Sequence, residues 1–132
     1  MNYWLVKTDP ETYSWKTFFQ EKKTEWTGVR NYEARNNMKK MQKGDLAFVY
    51  ESGKNPCIVG IAKVVTEAHP DSTDMTGMWW CVDIAAVKAL KHSVSLEEIK
   101  KISVYKNMVL VKKSRLSVQP VTEKEWKAII GG

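Results

Sequence analysis

Residues 25–41, EWTGVRNYEARNNMKKM, combine the two kinds of side chain that nucleic-acid sites use. Trp26 supplies a flat aromatic ring, and Gly28 allows a turn at which backbone and ligand approach closely. Arg30 and Arg35 supply positive charge, and several lysines follow them. Because bases stack on rings and phosphates attract cations, this pattern predicts a nucleic-acid contact at the turn and the helix after it.

The start of the helix predicted after Asn31 is a candidate site for an anion. Asn is a good N-cap residue, and the first backbone amides of a helix have no partners within it. Arg30 precedes the helix, whose dipole favours negative charge at this end. Arg35 lies three residues after Tyr32 and shares its face of the helix. We expect one phosphate to bind here.

The tryptophans point to the same region. The chain has six tryptophans in 132 residues, more than a core of this size needs. Packing on strand or helix faces explains three of them: Trp4, Trp15 and Trp126. Trp26 precedes a glycine turn, and the adjacent Trp79 and Trp80 cannot both face the same side of a strand. Either these rings cover the mouth of a small barrel, or they line a pocket for a planar ligand; the sequence leaves both interpretations open.

The residues that could bind a metal are few and scattered. Cys57 and Cys81 are the only cysteines, and they have neither Cys-x-x-Cys spacing nor a flanking histidine. His69 and His92 have no partner by spacing, so we interpret them as solvated loop histidines. We therefore predict reduced structural thiols, no metal site and no cofactor.

Catalytic motifs are equally scarce. We find no nucleophile elbow, phosphate-binding loop or paired-carboxylate motif. Asp83 lies within an apolar strand, where a structural hydrogen-bonding role is favoured over a catalytic one. Lys7, Thr8 and Glu11 are close in sequence and could form a small hydrolytic cluster, which is the minor alternative.

Length and charge fit a single binding domain. At 132 residues the chain corresponds to one domain, residues 1–132, by the prior of about 100–200 residues per domain. The formal net charge of +6 attracts polyanions. MNYWLVKTDP is too polar for a signal-peptide core, and no apolar run approaches the length needed to cross a bilayer. We expect a monomer in the cytoplasm, or in the nucleus of a eukaryote, with no membrane partner.

The elements that must position these residues are short helices between strands. Period-2 and β-branched patterns predict strands at NYWLVKT, DLAFVYE, CIVGIAKVVTEA with a bulge at Gly60, WWCVDIAAVKAL, and two short pieces in MVLVKKSRLSVQPV. Helices are predicted at WKTFFQ after Ser14, with Trp15, Phe18 and Phe19 in the core, at YEARNNMKKM, after the capping box SLEE, and after TEKE. Two strand pairs have no helix between them, which argues against a doubly wound sheet. We predict an α+β fold, a mixed β-barrel of about five or six strands with short helices at the connections.

The chain resembles the EVE domain family across nearly its whole length. The matching segments, in order, are YWLVKTDP, EWTGVRNYEARNNMKKMQKGDLAFVYES, CIVGIAKVV, HPD, WWCVDI, SLEEIK and NMVLVKKSRLSVQPVTEKEW. The resemblance implies a PUA-like barrel and a role in binding nucleic acid that carries a modified base, without established catalytic machinery. A small hydrolase acting on a modified nucleoside, as in some ASCH relatives, is the alternative.

The resemblance also implies which residues form the site. The expected ligand-binding residues are Lys7, Thr8, Trp26, Gly28, Asn31, Tyr32, Trp79, Ser117 and Gln119. The expected phosphate-binding residues are Arg30, Arg35 and Arg115, and Asp83 also matches the family pattern. The sequence departs from that pattern in three places: Thr8-Asp9 replaces Ser-Glu, Glu51 replaces a frequent His, and the loop 71–78 is shorter. The short loop predicts a more open or differently closed pocket rim.

Overall fold

The computed structural model describes residues 1–131 and contains six strands and five α-helices. The strands are β1 (Tyr3–Thr8), β2 (Lys23–Glu25), β3 (Leu46–Glu51), β4 (Cys57–Pro70), β5 (Trp80–Ser95) and β6 (Val118–Val121). The helices are α1 (Trp15–Glu21), α2 (Tyr32–Lys40), α3 (Leu96–Lys101), α4 (Val109–Lys112) and α5 (Glu123–Gly131), with a 3-10 turn at Ser103–Tyr105. No helix within these residues is long and apolar enough to cross a bilayer.

The strands form one curved sheet in the order β2-β5-β4-β3-β1-β6. β1 and β3 are parallel, and the other neighbouring strands are antiparallel. The prediction of an α+β fold with about five or six strands and short helices is confirmed. The predicted closure of the barrel is wrong, because β2 and β6 are edges and no ladder joins them within residues 1–131. Helix α2 contacts β6 at one edge and β5 beside the other, so it occupies the space that closure would need.

The two faces of the sheet build two hydrophobic clusters. Side chains alternate along β1, so Val6 lies in the first cluster, with Phe18 of α1 and Met38 of α2. Leu5 lies in the second cluster, where Trp126 of α5 stacks on Phe48 at 3.8 Å between ring centroids. Helices α1 and α2 therefore cover one face of the sheet, and α5 covers the other.

The local helix signals are confirmed, with two exceptions. The Asn31 side chain caps α2 by accepting from Ala34 N at 2.9 Å, and the predicted capping box forms at the start of α3. Phe19 was predicted in the core but is 47% exposed. Residues 109–112 were predicted as a strand but form helix α4, because burial of Leu110 against the second cluster outweighs the β-propensity of the valines.

Gly60 lies at an irregularity in the long strand β4, as predicted. The register shifts between Ile58 and Gly60 against both neighbouring strands, β3 and β5. A Cβ atom added at Gly60 would lie 2.5 Å from ring carbons of Trp15. The close approach of α1 to the sheet therefore depends on the absence of a side chain here.

We expect Gly60→Ala to lower the free energy of unfolding by about 1–3 kcal/mol, because the new methyl group overpacks against the Trp15 ring. Urea denaturation measures this loss. Gly131→Ala is the matched control, since among residues 1–131 no atom beyond its chain neighbours and its own helix backbone lies within 4 Å of an added Cβ at that position. Equal stability of Gly60→Ala and the wild type would mean that Trp15 moves aside at no cost.

Candidate nucleic-acid interface

A cavity of about 520 Å³ opens where the ends of β1 and β6 face β2 and the turn that follows it. Its lining consists of Lys7, Thr8, Thr12, Tyr13, Thr24, Glu25, Trp26, Thr27, Gly28, Val29, Arg30 and Ser117. This volume lies within the range of about 300–1,000 Å³ that is usual for sites that bind small ligands. Six of the twelve predicted site residues line the cavity: Lys7, Thr8, Trp26, Gly28, Arg30 and Ser117.

The polar wall of the cavity is built by β1 and the start of β6. The backbone N–H of Lys7 donates to the Ser117 carbonyl at 2.9 Å, which fixes the two strands next to each other. The Thr8 hydroxyl donates to the carbonyl of Tyr13, and the Lys7 ammonium donates to the carbonyl of Ser114. Burial lowers the pKa of Lys7. The wall therefore presents hydroxyl groups and a partly desolvated amine.

The aromatic wall is formed by Trp26 and Tyr13. Trp26 is only 7% exposed, and its ring meets the edges of Phe18 and Tyr13 at centroid distances of 5.9 and 6.1 Å. Trp26 therefore does not offer an open ring face for stacking, because this aromatic cluster closes around it. Trp26 lines the cavity from the core side, and Tyr13, which no sequence motif indicated, supplies the more accessible ring.

The Gly28 turn is tied to the loop 71–78 by a buried carboxylate. Gly28 has φ +85°, a left-handed conformation that favours glycine, and its N–H donates to Asp71 Oδ2 at 2.9 Å. Asp71 also accepts from Arg30 and from the backbone and hydroxyl of Thr73. Burial raises the pKa of Asp71, but these hydrogen bonds outweigh it and hold that pKa below its usual value. The short loop thus closes onto the turn.

Arg30 lies at the rim of the cavity, and its guanidinium is bound by two residues of the loop 71–78. Its guanidinium forms an ion pair with Asp71 at 3.2 Å and donates to the Thr73 hydroxyl at 3.2 Å. Its side chain keeps 39% of its surface exposed. Arg30 was predicted only as a phosphate ligand; the structure also makes it a link between the turn and the loop.

Tyr32 and Trp79 lie outside the cavity, stacked on each other. Their ring centroids are 5.1 Å apart, and the Arg35 guanidinium lies 5.0 Å from the Tyr32 ring. Arg35 also donates to the Met78 carbonyl at 3.0 Å. We name Tyr32, Arg35 and Trp79 the outer stack. They form a flat cationic surface next to Arg30, whose guanidinium lies 5.7 Å from the Trp79 ring.

The remaining predicted residues lie elsewhere. Asn31 and Arg115 line a shallow depression beside Lys112 and Lys113, not the cavity. Gln119 is fully buried, and its Nε2 donates to the Leu116 carbonyl at 2.8 Å. Gln119 was expected to bind ligand, but its side chain satisfies a backbone carbonyl and does not line the cavity.

Two residues near the interface have partners that sequence spacing did not reveal. His69 was predicted as a solvated loop residue, but it lies on β4 with Nε2 2.8 Å from Asp83 Oδ1. That hydrogen bond is the main cause that raises the pKa of His69. The structural hydrogen-bonding role expected of Asp83 is confirmed. Glu51, which replaces the frequent histidine, accepts from Trp15 N at 2.8 Å and so anchors the start of α1.

The match to a known protein family covers nearly the whole chain. The protein-family model of the EVE domain matches residues 2–131 of this chain. The chain belongs to the EVE domain family. Mouse thymocyte nuclear protein 1 is 36% identical to this EVE domain over 163 residues, which cover 98% of this chain and 72% of the mouse protein.

Solved structures show the same fold. A protein of Rhodopseudomonas palustris is 46% identical, with a TM-score of 0.93 over 99% of this EVE domain and 92% of that chain. The human THYN1 protein, in complex with DNA that contains 5-methylcytosine, is 32% identical, with a TM-score of 0.88 over 99% of this chain and 96% of its own. An ASCH protein from Zymomonas mobilis is only 8% identical, with a TM-score of 0.61 over 99% of this chain and 98% of its own, and shares the fold alone.

Proposed function

We propose that this EVE domain is a non-catalytic module that binds nucleic acid and holds one modified base in the cavity, with 5-methylcytosine as the first candidate. The observation that carries the proposal is the cavity itself, which combines an aromatic wall, hydroxyl groups and a rim cation. Support also comes from human THYN1 protein, a 32% identical relative that is bound to DNA containing 5-methylcytosine.

The energies of stacking and base flipping limit which substrates are suitable. Stacking on an aromatic ring contributes about 1–3 kcal/mol per base. Extracting a base from a duplex costs a few kcal/mol, and least when the base is unpaired or mismatched. The cavity alone therefore cannot extract a well-paired base, and cationic contacts to the backbone must contribute. Arg35 of the outer stack and Arg115 beside the shallow depression are suitably placed on the same side as Arg30 and Asn31.

Discrimination of the mark requires more than burial of a methyl group. One buried carbon contributes about 0.8 kcal/mol, which corresponds to roughly fourfold in affinity. A larger preference needs polar groups that are satisfied only by the correct base. The hydroxyls of Thr27 and Ser117 can donate or accept. Those of Thr8 and Thr24 already donate to backbone carbonyls and can accept, so all four suit this role.

Titration of labelled oligonucleotides tests the proposal. Strands that differ only in one cytosine, 5-methylcytosine, 5-hydroxymethylcytosine or N6-methyladenine are compared by fluorescence anisotropy. We expect the wild type to prefer one marked strand. Ser117→Leu should abolish this preference, because the larger side chain fills the cavity. Ser103→Leu is the control, since Ser103 is exposed and the preference should remain. Equal, weak binding to all strands that salt abolishes would reduce the domain to a general polyanion binder.

The predicted phosphate contacts can be tested separately from the cavity through the salt dependence of binding. Arg35→Gln and Arg115→Gln should weaken the binding of marked and unmarked strands alike, because each removes one cation but no part of the cavity. The slope of log K against log salt should become shallower by about one unit for each variant. Lys101→Gln on α3 is the control for loss of one charge, since α3 does not line the cavity. An unchanged slope for Arg35→Gln would mean that Arg35 of the outer stack does not contact the nucleic acid.

A second candidate function rests on Lys7. Partial burial at the cavity wall lowers its pKa, which makes its amine a better base or nucleophile for a hydrolase acting on a modified nucleoside. Incubation with acylated and alkylated nucleosides distinguishes the two functions. Turnover by the wild type that Lys7→Ala abolishes would favour the hydrolase, and absence of turnover would exclude it for that panel.

A further inference from the structure

Strand register places four potential metal ligands on one face of the sheet. Cys81 and Asp83 alternate on β5, so their side chains point to the same side. His69 of β4 pairs with Cys81, and Glu25 of β2 pairs with Asp83. The four residues, which we name the ligand cluster, lie on the side opposite to Val82 and Ile84, which point into the hydrophobic core.

The distances within the ligand cluster suit one small metal ion. One ligand atom from each residue lies within 4.8 Å of the others. Cys81 Sγ is 3.9 Å from Glu25 Oε1 and 3.9 Å from His69 Nε2. Tetrahedral zinc with bonds of about 2.0–2.3 Å has ligand atoms roughly 3.3–3.7 Å apart. His69 Nε2 and Asp83 Oδ1 are closer, at 2.8 Å, and would have to separate slightly to bind the same ion.

The surroundings of the ligand cluster match those of known metal sites. His69 Nδ1 lies 3.1 Å from the Pro70 carbonyl, so this nitrogen carries the proton and Nε2 is the nitrogen left to bind a metal. Cys81 is fully buried but belongs to neither hydrophobic cluster, and its thiol contacts His69 and Glu25 instead. A thiolate, a neutral imidazole and two carboxylates would carry a total charge of −3 and so favour a divalent cation.

We propose that Glu25, His69, Cys81 and Asp83 form a structural site for one zinc ion. Four protein ligands close a tetrahedral site and leave no position for a substrate, which is the pattern of a structural rather than a catalytic metal. Within residues 1–131 the edge strand β2 has one ladder, to β5, and the ion would tie it to both β5 and β4. Because β2 and the turn after it form a wall of the cavity, zinc would also hold that wall in place.

Metal titration of the protein after removal of metals with a chelator tests the site. We expect one equivalent of Co²⁺ to bind and to produce a thiolate-to-cobalt charge-transfer band in the near ultraviolet. Zn²⁺ should raise Tm by several degrees, whereas Mg²⁺ should not, because a thiolate and an imidazole favour zinc. His69→Gln should weaken Zn²⁺ binding at least tenfold, and Cys81→Ser should remove the charge-transfer band.

Cys57→Ser is the matched control, because Cys57 lies at the opposite end of β4 and should leave the band and the affinity unchanged. Absence of both the band and the Zn²⁺-specific rise in Tm in the wild-type protein would overturn the proposal. So would wild-type Zn²⁺ affinity in His69→Gln, a variant at a partly exposed position that remains informative if Cys81→Ser fails to fold. The result is independent of nucleic-acid binding, which neither measurement involves.

Discussion

Trp26→Ala should lower the free energy of unfolding by about 3–5 kcal/mol, the usual cost of removing a buried tryptophan. The ring is 7% exposed and packs edge-on against Phe18 and Tyr13, so its loss leaves a hole between α1 and the sheet. Urea denaturation and a thermal melt measure the effect. A loss of base preference in this variant would therefore not by itself identify a stacking contact, because the loss of packing also disturbs the cavity wall.

Two further variants separate the structural role of Trp26 from binding. Tyr32→Ala removes a ring that is 57% exposed, and we expect stability within about 0.5 kcal/mol of the wild type. Trp26→Phe keeps most of the aromatic packing and changes the cavity wall, so it is the variant to use in the oligonucleotide titration. Wild-type stability in Trp26→Ala would contradict the packing described above.

Asp71→Ala should lower the free energy of unfolding by about 2–3 kcal/mol and should weaken ligand binding. The buried carboxylate accepts from Gly28, Arg30 and Thr73, and its removal leaves these donors without their charged acceptor. The loop 71–78 then separates from the Gly28 turn, and the rim of the cavity opens. Denaturation measures the stability, and hydrogen exchange at the Gly28 amide reports the local loosening.

Ser72→Ala is the control within the same loop, since Ser72 is exposed. Arg30→Gln removes the ion pair and the hydrogen bond to Thr73 but keeps the carboxylate, and because Arg30 is 39% exposed we expect a smaller loss than for Asp71→Ala. An Asp71→Ala variant with wild-type stability and exchange would show that the loop does not depend on this carboxylate.

The lowered pKa of Asp71 also predicts a pH dependence. The pKa of an unfolded Asp is about 3.9. Because the folded-state pKa is lower, the contribution of Asp71 to stability is complete above the unfolded value and is lost as the pH falls through the folded value. We expect the acid-induced loss of stability to be smaller in Asp71→Asn than in the wild type, as measured by urea denaturation across this pH range.

Local features of this protein could be predicted because they depend on neighbours in the chain. The caps at Asn31 and Ser95 depend on side chains within three residues of the amides they bind. The irregularity at Gly60 follows from a glycine within a β-branched strand. The long motifs around Trp26 and Ser117 likewise indicated the EVE family, whose model matches residues 2–131.

Only the tertiary structure decided which of these residues meet. Arg30 and Asp71 are 41 positions apart, and Glu25 and Cys81 are 56 apart, so their contacts depend on the register of β2, β4 and β5. A shift of one residue in that register would turn each side chain to the other face of the sheet. The burial of Trp26, the open edges of the sheet and the ligand cluster all depend on this long-range pairing, which periodicity and spacing along the chain do not encode.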